Sequence, residues 1–197
     1  MSQTPDDPTR RLLLSAAAAG LTLSIATPGS ASTPGPAADA SPAGKPAPGR
    51  PGEFDFLSGE WKIQHRRRKA DGSWDAFEGE ATCWSILGGI ASIEELRIPA
   101  RDFSGMGLRL LDLDTRIWSD FWVNAKSGAL GGAGLTGGFV DGDGIFESRD
   151  TEDGKPVIYR GVWDRIVAGE RHRWYQASSH DDGRTWDISW SMDWTRA

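Results

Sequence analysis

One cysteine, three histidines and no long apolar run beyond Leu12–Ile25 set the first limits on this 197-residue chain. With Cys83 alone, no intrachain disulfide can form, even in an oxidising compartment. Cys83 lies in a strand-like stretch and reads as a buried structural thiol. No two of His65, His172 and His180 have metal-ligand spacing, so no metal site is expected. Basic charge is scarce: 22 Lys and Arg face 28 Asp and Glu, a net charge of −6. That balance argues against nucleic acid or an anionic membrane surface as the main partner. Sustained helical periodicity is missing too, and with it any amphipathic helix. The chain also lacks a P-loop, a G-x-S-x-G elbow and a Ser/His/Asp order.

The opening is present and specific. Arg10-Arg11 precedes an apolar run, and Gly29-Ser30-Ala31-Ser32 supplies small residues for cleavage. A basic start, a short apolar stretch and a small-residue site make an export signal over 1–31. The run is too short and Ala-rich for a stable membrane span, which needs roughly 20 apolar residues. The arginine pair before Leu12-Leu13-Leu14 resembles a twin-arginine signal, with an ordinary Sec signal as the alternative. The expected location is therefore exported, periplasmic or secreted, with no membrane insertion after cleavage. Residues 32–52 are nearly all Pro, Ala, Gly and Ser, and read as a disordered tether. The folded domain is expected over 53–197, about the size of one domain.

Within that domain, short alternating apolar runs are separated by Asp-Gly and Gly-Gly turn signals. Ten strands are expected, near 59–68, 75–86, 91–98, 104–112, 116–124, 135–141, 144–151, 155–164, 171–179 and 185–195. A short helical turn at 54–58 would plug one end. With no helices to cover a sheet face, the strands should close on themselves, since closure removes exposed edges. The expected fold is all-β: an up-and-down antiparallel barrel of about ten strands.

All ten tryptophans lie between Trp61 and Trp194. Trp118 with Trp122, and Trp186, Trp190 and Trp194, recur with the even spacing of a single strand face. Two motifs are structural fixtures on this reading. Gly59-Glu60-Trp61 resembles the G-x-W at the closed end of lipocalin-type barrels. Ser179-His180-Asp181-Asp182-Gly183-Arg184-Thr185-Trp186 fits an Asp-box hairpin, present once where a propeller would repeat it.

The start Phe54-Asp55-Phe56-Leu57-Ser58-Gly59-Glu60-Trp61 resembles the FDFxxGxW opening of an uncharacterised bacterial lipocalin-like (calycin) family. Gly105 to Asn124 resembles that family's strand, Asp-x-x-Thr-x-x-Trp hairpin and second Trp-bearing strand. Asp181 to Trp186 resembles its closing DGGxTW hairpin. The resemblance implies a barrel that holds a small, mostly apolar molecule, and implies no reaction.

The candidate site follows from strand faces. Trp118, Asp120, Trp122 and Asn124 share one face of their strand; Ile117, Ser119, Phe121 and Val123 share the other. If the tryptophan face points inward, Asp120 and Asn124 are buried polar groups that need partners. Arg109, Arg149, Arg160 and Gln176 are the candidates. Tyr159 and Trp163 share a face, as do Trp174 and Gln176. Trp118, Trp122, Asn124, Trp163, Trp174, Gln176 and Trp190 are thus the expected ligand-binding set. Glu94 and Glu95 point to opposite faces, so only one can be interior.

Three readings stay open. The first is an exported protein that binds a small apolar or aromatic molecule, with no cofactor. The second is a cofactor-independent isomerase, hydratase or cyclase, with Asp120, Glu95, Arg109, Tyr159 and His172 as candidate catalytic residues. The third is a haem barrel using His172.

Overall fold

The computed structural model describes residues 45–197; the signal segment and most of the tether lie outside them. The ten expected strands are present. They are β1 (Gly59–Arg68), β2 (Trp74–Ile86), β3 (Ala91–Ile98), β4 (Phe103–Leu111), β5 (Trp118–Asn124), β6 (Leu135–Val140), β7 (Asp143–Glu152), β8 (Lys155–Val167), β9 (Arg171–Ser179) and β10 (Asp187–Arg196). Each strand pairs antiparallel with its chain neighbour, and β1 pairs with β10 to close the barrel. Closure satisfies the backbone of both terminal strands without a covering layer.

Period-two alternation decides what is inside. On β1, Trp61, Ile63 and His65 are buried while Glu60, Lys62 and Gln64 are exposed. Register carries that parity around the ring, opposing Leu111 to Trp118, Arg109 to Asp120 and Gly107 to Trp122. The tryptophan face of β5 therefore points inward. Trp61, Trp118, Trp122, Trp163, Trp174, Trp190 and Trp194 are interior; Trp74, Trp84 and Trp186 are not.

Trp186 departs from the expected alternation for a local reason. A register shift between Ile188 and Trp190 changes the parity of β10. A bulge of this kind leaves one residue unpaired and re-aims the chain beyond it. Ile188 and Trp186 consequently pack outside, with Val162, Tyr175, Ala177 and Trp74. Trp190 and Trp194 turn inward.

Seven indoles fit inside because glycine stands opposite several of them. Gly107 faces Trp122, Gly137 faces Trp118 and Gly144 faces Trp163. At Gly105 an added Cβ would lie 2.2 Å from the Trp122 ring. Strand glycines commonly mark such close approaches.

One end of the barrel is sealed. The expected plug is a 3₁₀ turn, Asp55–Leu57, preceded by Phe54. The Phe54 ring meets Trp118 at 4.9 Å, Phe139 at 5.2 Å and Phe146 at 5.6 Å. The Trp61 indole donates to the Leu57 carbonyl at 2.6 Å, and the Trp118 indole donates to Glu53 at 2.8 Å. Residues 47–52, placed in the tether by composition, are tied to this end. The Gly49 amide donates to the Arg116 carbonyl at 2.7 Å, Arg116 Nε returns a bond to the Gly49 carbonyl, and Gly52 donates to Gly89. Composition undercounts such order because the bonds use backbone groups rather than apolar side chains.

Candidate functional site

At the open end the barrel holds a cavity of about 140 Å³. Its wall is largely indole. Trp190, Trp174, Trp163 and Trp194 form a run, with centroids 6.1, 6.4 and 5.8 Å apart. Trp122, Leu135 and Met192 add apolar surface. Ser148, Asp150 and Tyr159 stand on β7 and β8 toward the mouth, and Gln176 on β9. Gly131–Gly134, from the loop joining β5 to β6, complete the rim. That loop borders the shortest pairing in the barrel, where only Trp118, Ser119 and Asp120 pair with β6. Glycine is required at 134, where φ is +74° and an added Cβ would meet the Asp120 carbonyl at 2.9 Å.

One polar cluster lies among the rings. Arg109 on β4 donates through Nη2 to Glu94 on β3 at 2.5 Å. Its Nε lies 3.2 Å from Asp120 Oδ1 on β5, an ion pair that is off the hydrogen-bond direction. These side chains are 5 %, 3 % and 13 % exposed, so Asp120 is the one offered most to the cavity. The guanidinium also lies 4.9 Å from the Trp163 ring centroid. Gly107 gives it room: a Cβ there would sit 2.8 Å from a guanidinium nitrogen.

The cluster carries two carboxylates against one cation. Burial, assisted by repulsion from Glu94, pushes the Asp120 carboxyl up from its ordinary range, against the pull of Arg109. Trp163 Nε1 has no partner at normal hydrogen-bond geometry, yet it lies close enough to Asp120 to favour its charged form. Arg109 stays charged; burial works against it, but Asp120 and Glu94 outweigh that penalty. Cys83 faces the same cluster, and burial together with Glu94 pushes its thiol up, so it is an inert core group.

Of the expected ligand-binding residues, Trp122, Trp163, Trp174, Gln176 and Trp190 line the cavity. Trp118 is fully buried at the sealed end, because it is one full inward step nearer the plug than Asp120. Asn124 caps the turn after β5, accepting from the Lys126 amide at 2.9 Å.

Among the candidate catalytic residues, Asp120, Arg109 and Tyr159 line the cavity. Glu95 faces outward and accepts from Arg97 at 3.0 Å; its neighbour Glu94 is the interior carboxylate. Arg149 bonds Asp182 on the surface, and Arg160 is held by Glu147 beneath the Trp186 ring, so Arg109 is the partner of Asp120.

His172 is 3 % exposed and outside the cavity wall. Trp61, Trp194, Phe56 and Trp163 surround its ring at 4.4, 4.9, 5.3 and 5.6 Å. Haem ligation would use a ring nitrogen in the imidazole plane, and both His172 nitrogens are buried without a hydrogen-bond partner. His65 is the other buried imidazole. It stacks on Phe77 and accepts from the Trp190 indole at 3.1 Å.

Trp194, Met192, Leu135 and Glu94 belong to the site and were not singled out for it by sequence. Glu94 was within reach: Arg97 marks the outer face of β3 and takes Glu95 with it, leaving Ser92, Glu94 and Leu96 inside. Trp194 shares the phase of Trp190. No known family model matches this chain, and no curated protein matches it significantly in sequence.

Proposed function

We propose that this protein is an exported barrel that binds a small, single-ring aromatic or apolar molecule in the open-end cavity. The observation that carries this reading is the indole-walled cavity with a small set of polar groups, Asp120 among them, at its edge. Pockets of this kind are mostly apolar with a few convergent polar groups. The size narrows the class: an apolar cavity of about 150 Å³ holds benzene. Membership of the lipocalin-like family, supported by the FDFxxGxW opening and the closing hairpin, is part of this proposal.

The test is direct because the wall reports on itself. Toluene or benzyl alcohol should quench or shift the intrinsic tryptophan fluorescence and raise the melting temperature. Flat titrations with every single-ring compound would remove the reading.

Export rests on the opening segment, whose Arg10-Arg11 pair is its most specific part. Changing both arginines to lysine should leave the protein in the cytoplasm if the twin-arginine route is used. Unchanged export of that variant would assign the Sec route instead.

Catalysis is a second reading, favoured by one observation. Asp120 is buried, paired with a cation and shifted toward the range in which a carboxyl can exchange protons. Asp120→Asn should then abolish turnover of a bound apolar substrate while leaving its binding in place.

A further inference from the structure

We propose that the cavity selects a protonated amine carried on a single aromatic ring, with the ammonium at Asp120 and the ring against Trp163, Trp174 and Trp190. This rests on the binding reading above and names its ligand class.

Three observations carry it. The first is charge. Inside the barrel, Arg109 faces both Glu94 and Asp120, so the cluster is one positive charge short. At the rim, Arg160 is held by Glu147 against the Trp186 ring and Arg67 lies 5.0 Å from the Trp190 ring centroid, while the cation at Asp120 itself is Arg109. An anionic ligand would add a third negative charge to a desolvated cluster. A cation supplies what the cluster lacks.

The second is geometry. Glu94 takes the Arg109 Nη2 bond and is 3 % exposed, whereas Asp120 is the exposed member. The carboxylate available to a ligand is therefore the one with the weaker hold on the arginine. Burial favours its protonated form, and an arriving ammonium would favour the charged form by offsetting the desolvation.

The third is the wall. Aromatic faces attract cations, tryptophan most strongly. Arg109 already uses this, lying 4.9 Å from the Trp163 ring centroid. Trp174 and Trp190 present further ring surface at the same cavity.

One observation pulls the other way. Trp194 Nε1 and Arg109 Nη1 are buried donors without a hydrogen-bond partner, and they would suit a ligand acceptor such as a hydroxyl. A hydroxyl at Arg109 Nη1 would make a bond charged on one side only and at Trp194 a neutral one, whereas the ammonium–carboxylate contact is charged on both sides, and that difference sets the ranking.

Three molecules of one shape separate these outcomes. The purified full chain is titrated with 2-phenylethylamine, 2-phenylethanol and 3-phenylpropanoate at pH 7.5, read by fluorescence and calorimetry. The amine should bind at least about tenfold more tightly than the alcohol, a gap of ~1.4 kcal/mol, with the acid weakest. Asp120→Asn should erase the amine's advantage and leave alcohol binding in place. If the alcohol or the acid equals or exceeds the amine, the amine proposal falls while the cavity reading stands. If none of the three binds, both fall. Should Asp120→Asn fail to fold, the ranking by the unmodified protein decides alone.

Discussion

Replacing Arg109 by methionine should cost about 3–5 kcal/mol of stability, the range measured when one partner is removed from a buried ion pair. The side chain is 5 % exposed and stands between two carboxylates, Glu94 and Asp120. Methionine matches the length of the arginine stem but leaves Glu94 and Asp120 facing each other in a medium that solvates neither. A loss of this size consumes much of a domain's usual margin of 5–15 kcal/mol. Urea denaturation at pH 7.5 measures it. Adding Glu94→Gln and Asp120→Asn to Arg109→Met should recover a large part of the loss, because the cost lies in the stranded charges rather than in the missing contacts. An unchanged urea midpoint for Arg109→Met would mean that water reaches the cluster freely.

Acidification should unfold the barrel through its two interior histidines. Burial holds both His65 and His172 down to about 3, with repulsion from Arg101 and Arg109 respectively adding to it. In the unfolded chain each titrates near 6.5. Between those values the unfolded state binds more protons, so stability is full above pH 6.5 and drains as the pH falls toward 3. Each histidine can contribute up to ~1.4 kcal/mol per pH unit in that window, so the pair removes several kcal/mol before the carboxylates matter. Asp120 acts with the opposite sign. Its raised folded value means that its contribution is present at low pH and is lost as pH rises through that value, which softens the acid limb slightly. Urea midpoints at pH 7.5, 5.5 and 4.5 should fall steeply. His172→Phe, which suits a nest of four rings, should flatten that fall by about half. A pH-independent midpoint in the unmodified protein would overturn this account.

The barrel was legible in the sequence because three signals agreed: alternation, turn residues at hairpin spacing, and the absence of anything to cover an open sheet. The inward direction of β5 was not legible from that strand alone, since both of its faces are aromatic. It is decided by partners far away in sequence. Gly107 and Arg109 on β4 have the small and the charged side chains that fit opposite Trp122 and Asp120, and no local pattern announces that pairing. The same holds for Trp186: its parity depends on a bulge at positions 188–190, and bulges leave little trace in composition. Cavity and core were equally hard to separate. Trp118 and Trp122 share a face of one strand, yet one seals the floor and the other lines the pocket; depth along the barrel axis tells them apart, and period-two reasoning carries no information about depth.

The pairing of β1 with β10 bears on how the chain reaches this state. The two strands are more than a hundred residues apart, and the ring is complete only when Trp61 lies opposite Arg196. Until the last strand has been synthesised, β1 and β9 each present an unpaired edge, and the inward indoles of the other strands have no wall opposite. Long-range closure of this kind makes for slow folding. The growing chain must therefore remain unassociated while it carries most of its tryptophans and two open edges, and β10 acts as the latch that ends that exposure.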